Sequence, residues 1–215
     1  MLQLNIFHKA ARQVKASGKS AIAITVLFVV STSSALAALP SIGEFTSNMT
    51  KKDGLIPVYY DDESDKVYLA VPTDHAEYLF QSSLPYGVGS NDIGLDRGQL
   101  GNTRLVSFEK FGNKVLLKQH NTKYRAAHGS DAEKQSIDEA FADSVIAGFT
   151  LVAKNDSANL IDYTPFLLSD IHGIGNRLAG TNQGSFSVDN MRSGVYLPKT
   201  KGFEKNTELE ALVTF

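Results

Sequence analysis

From Gly54 onward the chain alternates apolar and polar positions in short runs broken by turn residues, the pattern of strands with one face in a core. "GLIPVYY" and "KVYLAVP" flank the acidic "DDESD" and predict a hairpin, and "EYLFQSSL" reads as a further strand. "TRLVSFEKF" and "KVLLKQHN" surround Gly112-Asn113, a short connection whose two residues can adopt the positive φ angles of a tight hairpin. The period then changes. Ser130 and Glu133 form a capping box, and Ile137, Ala140, Phe141, Ser144 and Val145 recur at helical spacing as far as Gly148. "FTLVAK" and "NLIDY" predict another hairpin around "NDSA", and "TPFLLSD" predicts a helical turn with Pro165 at its start. The pattern defines an α+β fold, mainly antiparallel β-sheet hairpins with one well-capped packed helix.

The N-terminus follows other rules. Lys9, Arg12, Lys15 and Lys19 precede the uncharged "AIAITVLFVV", and Ala35-Leu36-Ala37 supplies small residues where a signal peptidase reads. Residues 1–37 are therefore expected to be a signal peptide cleaved after Ala37, with an uncleaved membrane anchor as the alternative. Residues 38–52 read as a linker or weakly ordered arm, and 53–215 as one non-catalytic β-rich module. In "TELEALVTF", Leu209, Ala211, Val213 and Phe215 alternate up to the last residue, which reads as a strand cut off and a module truncated at its C-terminus.

The signal segment carries four of the 21 basic side chains and none of the 23 acidic ones, so the mature chain has a formal charge of −6. An acidic chain has no electrostatic reason to bind nucleic acid or an anionic bilayer, which leaves the uncleaved signal segment as the only expected membrane contact. There is no cysteine, so an exported domain, periplasmic or secreted, must hold together by packing alone.

The chemistry-bearing residues are sparse. Zinc peptidases of the HExxH kind need two histidines one helical turn apart; His75 has Leu79 at the second position, and His120, His128 and His172 lack partners at ligand spacing, so each reads as a surface or hydrogen-bonded structural histidine. No GxSxG presents a serine, and a distant pairing such as Asp170 and His172 with some serine has no support in the pattern. Asp61, Asp62, Glu63 and Asp65 resemble a calcium loop only until Lys66 and Pro72, which stand where glycine and a bidentate glutamate are needed; a solvated turn is expected.

The remaining candidate is "LPYGVGSNDIGLDRGQLG". Asp92 occupies the third glycine position of a dinucleotide fingerprint, and no lysine follows Gly94 as a phosphate loop requires. What is left is a structural or interaction loop in which Gly87, Gly89 and Gly94 allow tight bends while Asn91, Asp92, Asp96 and Arg97 hydrogen-bond exposed backbone or each other. No catalytic, cofactor-binding or metal residue is assigned.

The segments "EYLFQSSLPYGVGSNDIGLDRGQLG", "RLVSFEKFGNKVLLKQHNTKYRA", "EAFADSVIAGF", "FLLSDIHGI" and "NTELEALVTF", in that order, resemble the domain of unknown function ahead of the catalytic domain in large bacterial secreted zinc-dependent metalloproteases of metzincin type. The resemblance spans residues 53–215. It implies zinc for complete relatives, whose extended HExxHxxGxxH lies downstream of the matched segment, and no cofactor in this chain. It further implies a non-catalytic module that packs against or positions a downstream peptidase domain. The alternatives are a stand-alone exported binding protein using the Gly87–Gly101 loop, or an independent hydrolase with an unrecognised site.

Overall fold

The computed structural model describes residues 38–126 and 128–215; the expected signal segment lies outside the described residues. In chain order the elements are α1 (Ile42–Phe45), β1 (Thr50–Lys52), β2 (Val58–Asp61), β3 (Lys66–Pro72), β4 (Glu77–Phe80), β5 (Arg104–Phe111), β6 (Lys114–Gln119), α2 (Asp131–Ala140), β7 (Ser144–Lys154), β8 (Ala158–Asp162), α3 (Thr164–Leu167), α4 (Ile174–Gly180), β9 (Gly194–Val195), β10 (Lys201–Phe203), β11 (Asn206–Glu208) and β12 (Ala211–Leu212). The first eight strands form one antiparallel sheet in the order β1-β2-β3-β8-β7-β6-β5-β4. The expected α+β class and its three hairpins are present.

β7 joins the halves of the sheet. Its first part, Ser144–Thr150, pairs with β6, and its last part, Leu151–Lys154, pairs with β8, with a register irregularity in each ladder. Such irregularities bend a strand and increase its twist, so one long strand can serve two neighbours that do not lie side by side.

The alternation seen in the sequence becomes the core. Val58, Val67, Leu69, Val71, Val106, Val115, Leu117, Phe149, Leu151 and Ile161 turn to one side and pack together with Tyr163. Burying each such aliphatic side chain contributes about 1.5–3 kcal/mol. Phe149, Tyr163 and Phe166 meet in an aromatic cluster, with the rings of Phe149 and Tyr163 centred 5.2 Å apart, and burial raises the Tyr163 phenol well above its ordinary pKa. α3, entered through Pro165, brings Phe166 to this core.

β3 is buried on both faces because a second, smaller core lies behind it. There Ile42 of α1 packs with Tyr68, Ala70, Ala153 and Leu160, and Phe45 meets the Tyr68 ring edge-on at 5.3 Å. Burial pushes the Tyr68 phenol up to about 12. Residues 38–52, expected as a linker, thus carry α1, with a complete Ser41–Glu44 capping box, and the edge strand β1. The segment has too few apolar residues to show a period; three of them, Ile42, Phe45 and Met49, are enough to seal the back of the sheet.

Three further expectations are corrected. The helix predicted from Ser130 to Gly148 stops at Ala140, and Ser144–Gly148 opens β7 instead. Ile137, Ala140, Phe141, Ser144 and Val145 do recur at helical spacing, but the paired edge of β6 and the β-branched Val145 and Ile146 favour the ladder. In the Gly112-Asn113 turn only the glycine takes a positive φ, +56°. The C-terminal run is not one strand: β11 pairs with β10 and β12 with β9. The break falls at Glu210, whose N–H donates to the buried Thr200 hydroxyl at 3.3 Å while its carbonyl accepts from Tyr196 at 2.7 Å.

The acidic turn between β2 and β3 has a use that its charge does not announce. The Asp61 carboxylate accepts from the Ser64 hydroxyl at 2.6 Å and the Glu63 N–H at 3.1 Å, closing the turn. Asp65 accepts from the Tyr60 hydroxyl at 2.9 Å and from the Val195 N–H at 3.2 Å, tying β9 to the hairpin.

Candidate functional site

Two excursions leave the sheet, and each carries candidate residues. The first is the glycine-rich loop between β4 and β5. Ile93 and Leu95 in its middle are buried, at 4% and 5% exposure, so its tip points inward. The Arg177 guanidinium of α4 donates to the Ile93 carbonyl at 3.0 Å, Ser90 donates to Gln183 at 2.9 Å, and Gly98 and Leu84 exchange main-chain bonds with Leu84 and Gln99 across the loop base. Gly89 and Gly94 sit at φ +79° and +66°, conformations that other residues adopt at a cost, whereas Gly87 does not have a positive φ. Asn91, Asp92, Asp96 and Arg97 are exposed, and among the described residues their side chains form no hydrogen bond or ion pair within the domain. The expectation that these polar groups satisfy the loop is replaced by burial of its apolar pair and by main-chain bonds.

The second excursion, residues 121–143, runs from the end of β6 through α2 to the start of β7. α2 has the expected capping box: the Glu133 carboxylate accepts from the Ser130 N–H at 2.7 Å and the Ser130 hydroxyl at 3.1 Å, which lowers its pKa, and the Glu133 N–H reaches the Ser130 hydroxyl at 3.3 Å. Yet α2 has no buried residue, and Ile137 alone is half-buried. The base of this arm is fastened at two places. Tyr124 and Phe141 stack at 4.0 Å and 14°, and the Asp143 carboxylate accepts from His120 Nδ1 at 2.9 Å and from the Asn121 N–H at 3.2 Å.

The pleat explains what lies beneath the arm. Val106, Val115 and Leu117 point into the core, so Leu105, Ser107 and Glu109 of β5 and Lys118 of β6 share the opposite face. In the ladder Glu77, Ser107 and Lys118 stand in one row across three strands. His120 follows two residues after Lys118 on the same face, and its Nε2 lies 2.8 Å from the Ser107 hydroxyl. Lys118 is held 2.8 Å from Glu109 and 3.8 Å from Asp143, and the bond to Glu109 keeps its pKa raised. Between this face and the arm is an open cleft of about 850 Å³, lined by Leu105, Lys118, His120, Tyr124, Ile137 and Phe141 among others.

Ser107, His120 and Asp143 are separated by 13 and 23 positions and match no motif, so the sequence offered no signal for their meeting. The other histidines differ. His172 is partly buried, which lowers its pKa, and it lies by the Ser83 backbone; its neighbour Asp170 caps α4 by accepting from Ile174 and Gly175 N–H at 2.7 and 2.9 Å. His75 sits at a turn with φ +56°. Among the described residues no group of three or more histidines and acids is placed to hold a metal ion, and no helix is long and apolar enough to cross a membrane.

The fold and this surface define an antiparallel-sheet domain with a capped, unburied helical arm over its outer face. The chain belongs to the family described as Domain of unknown function (DUF5117), which matches residues 98–215, from the end of the glycine-rich loop through the arm to the C-terminal hairpins. No curated protein and no solved structure matches it.

Proposed function

We propose that this chain is the N-terminal, non-peptidase module of an exported zinc-dependent metalloprotease of metzincin type, and that it packs against or positions the downstream peptidase domain. The observation that carries the reading is α2. A helix with its own capping box and a doubly fastened base, but no buried residue in its own domain, is the form expected of an element that bridges to another body. The ordered resemblance over residues 53–215 supports a metzincin-type peptidase domain as that body; on this reading zinc and peptide hydrolysis belong to the partner, HExxH being absent from this sequence. The glycine-rich loop is turned into its own domain by Ile93 and Leu95, which weighs against its being the recognition surface of a stand-alone binding protein.

The test is association. The chain expressed for export should start at Ala38 by mass and should co-purify with the peptidase domain of a complete relative. Asp138→Lys with Glu139→Lys, both exposed on α2, should weaken the complex at least about tenfold without moving the melting temperature. Absence of a complex at tens of micromolar, or equal binding by the double variant, overturns the reading.

A further inference from the structure

The two ends of the large sheet are guarded differently. β1, at one end, carries Lys51 and Lys52, charges of the kind that keep a second strand from adding to an open edge. β4, at the other, holds no lysine, no proline and no register irregularity. At its middle Leu79 is 77% exposed, more than any other large apolar side chain in a strand among the described residues.

The main chain of this edge is open as well. In an antiparallel ladder the N–H and C=O of one residue point to the same neighbour, and successive residues point to opposite sides. The Leu105 carbonyl accepts from the His120 N–H at 2.9 Å, so Leu105 faces β6, and its ladder partner Leu79 turns its own N–H and C=O away from β5. By the same alternation Glu77 and Gln81 present theirs to solvent, and all three residues are exposed. The free run is bounded on both sides: the Asp74 carboxylate holds the Ala76 N–H at 3.1 Å, and His172 lies by the Ser83 backbone.

This short run is complementary to itself. A two-fold axis through Leu79, perpendicular to the sheet, lays the strand antiparallel to its own copy. Leu79 then faces the partner's Leu79, and Glu77 faces the partner's Gln81, each pair exchanging two main-chain hydrogen bonds. Tyr78 meets the partner's Phe80 on the core face, and Leu105 and Leu79 of both copies make one row of leucines on the outer face. No like charges stand opposite each other. An axis through Tyr78 would leave Gln81 without a strand partner, and one through Phe80 would leave Glu77 without one, so the register about Leu79 is the one that uses every free residue.

We infer that β4 is a docking edge for a second copy of this chain, joined strand to strand about Leu79 so that the two sheets become one. The contact uses the same edge on both copies and therefore closes as a dimer. It is smaller than a standard protein interface, so a dissociation constant on the order of 100 µM is expected.

Sedimentation equilibrium of the chain expressed for export, from about 10 µM to about 1 mM, should show a monomer passing to a dimer and no further. Leu79→Lys should raise the dissociation constant at least about tenfold at an unchanged melting temperature, since the side chain is exposed in the monomer. With no native cysteine, Leu79→Cys supplies a unique thiol, and a short bismaleimide should join two copies at least about tenfold faster than it joins Thr50→Cys on the β1 edge. A wild-type chain that stays monomeric at millimolar concentration overturns the inference, as do growth beyond the dimer, equal association by Leu79→Lys, or equal cross-linking at the two edges. A monomeric chain whose Leu79→Cys thiol couples instead to the peptidase domain of a complete relative also overturns it and gives the edge to that partner. Association through α2 is read separately, by the Asp138 and Glu139 variants.

Discussion

The loop from Leu84 to Gly101 and the arm from Asn121 to Asp143 leave neighbouring strands of one sheet, and they are held by opposite means. The loop turns Ile93 and Leu95 inward, takes positive φ at Gly89 and Gly94, and receives a donor from α4. The arm buries nothing along α2 and is held at its base by one aromatic stack and by the carboxylate of Asp143. Apolar burial is non-directional and commits a segment to its own domain. Polar fastening at a base fixes where an element begins and ends and leaves its faces free. The glycine-rich segment, which looks like a ligand cradle in the sequence, is built into the domain, while the plain amphipathic helix is the element left available.

The comparison breaks most directly at the buried pair. Leu95→Ala should destabilise the whole domain by about 2–5 kcal/mol, read from chemical denaturation; a cost near zero would mean that the loop is not anchored by burial. Gly94→Ala should cost about 1 kcal/mol, because the new side chain must occupy φ +66°, and Gly87→Ala should cost clearly less. Equal effects at the two positions would remove backbone conformation from the account.

On the arm the same class of change should be local. Ser130→Ala should cost α2 about 1 kcal/mol, seen as faster amide exchange and proteolysis within 131–140 at an unchanged global melting temperature. Acid should act at the same place. Glu133 has its carboxyl pKa lowered by the Ser130 bonds, so its contribution is complete at neutral pH and is lost as pH falls through that depressed value. Protection of the α2 amides, measured against the intrinsic exchange rate at each pH, should therefore fall on acidification, and less so in Glu133→Gln. The smallest effects belong to Asp96→Ala and Arg97→Ala, whose exposed side chains have no partner in the domain among the described residues; each should stay within about 0.5 kcal/mol of wild type.

Legibility followed the range of the interaction. The β2–β3, β5–β6 and β7–β8 hairpins, the Ser130–Glu133 cap and the turn at Pro165 were all readable, because each rests on residues close in sequence: a period, a turn, a capping pair. The end of α2 was misread because Ser144–Gly148 fits a helical period as well as a strand, and the decision lay with β6, some thirty residues earlier in the chain. The meeting of Ser107, His120 and Asp143 was invisible for the same reason: it needs the β5–β6 register, which sets Ser107 and His120 on one face, and the return of the arm, which delivers Asp143 to that face.

The sequence by itself determined the class of fold, the strand faces and the autonomous cap of α2, since alternation and local hydrogen bonding are properties of neighbours along the chain. Only the tertiary structure decided which polar residues were to meet, which glycines needed positive φ, and that the glycine-rich loop turns inward while α2 stays out. These depend on strand register, on the bends in β7 and on the volume left for Ile93 and Leu95, and such quantities exist only once distant segments have packed.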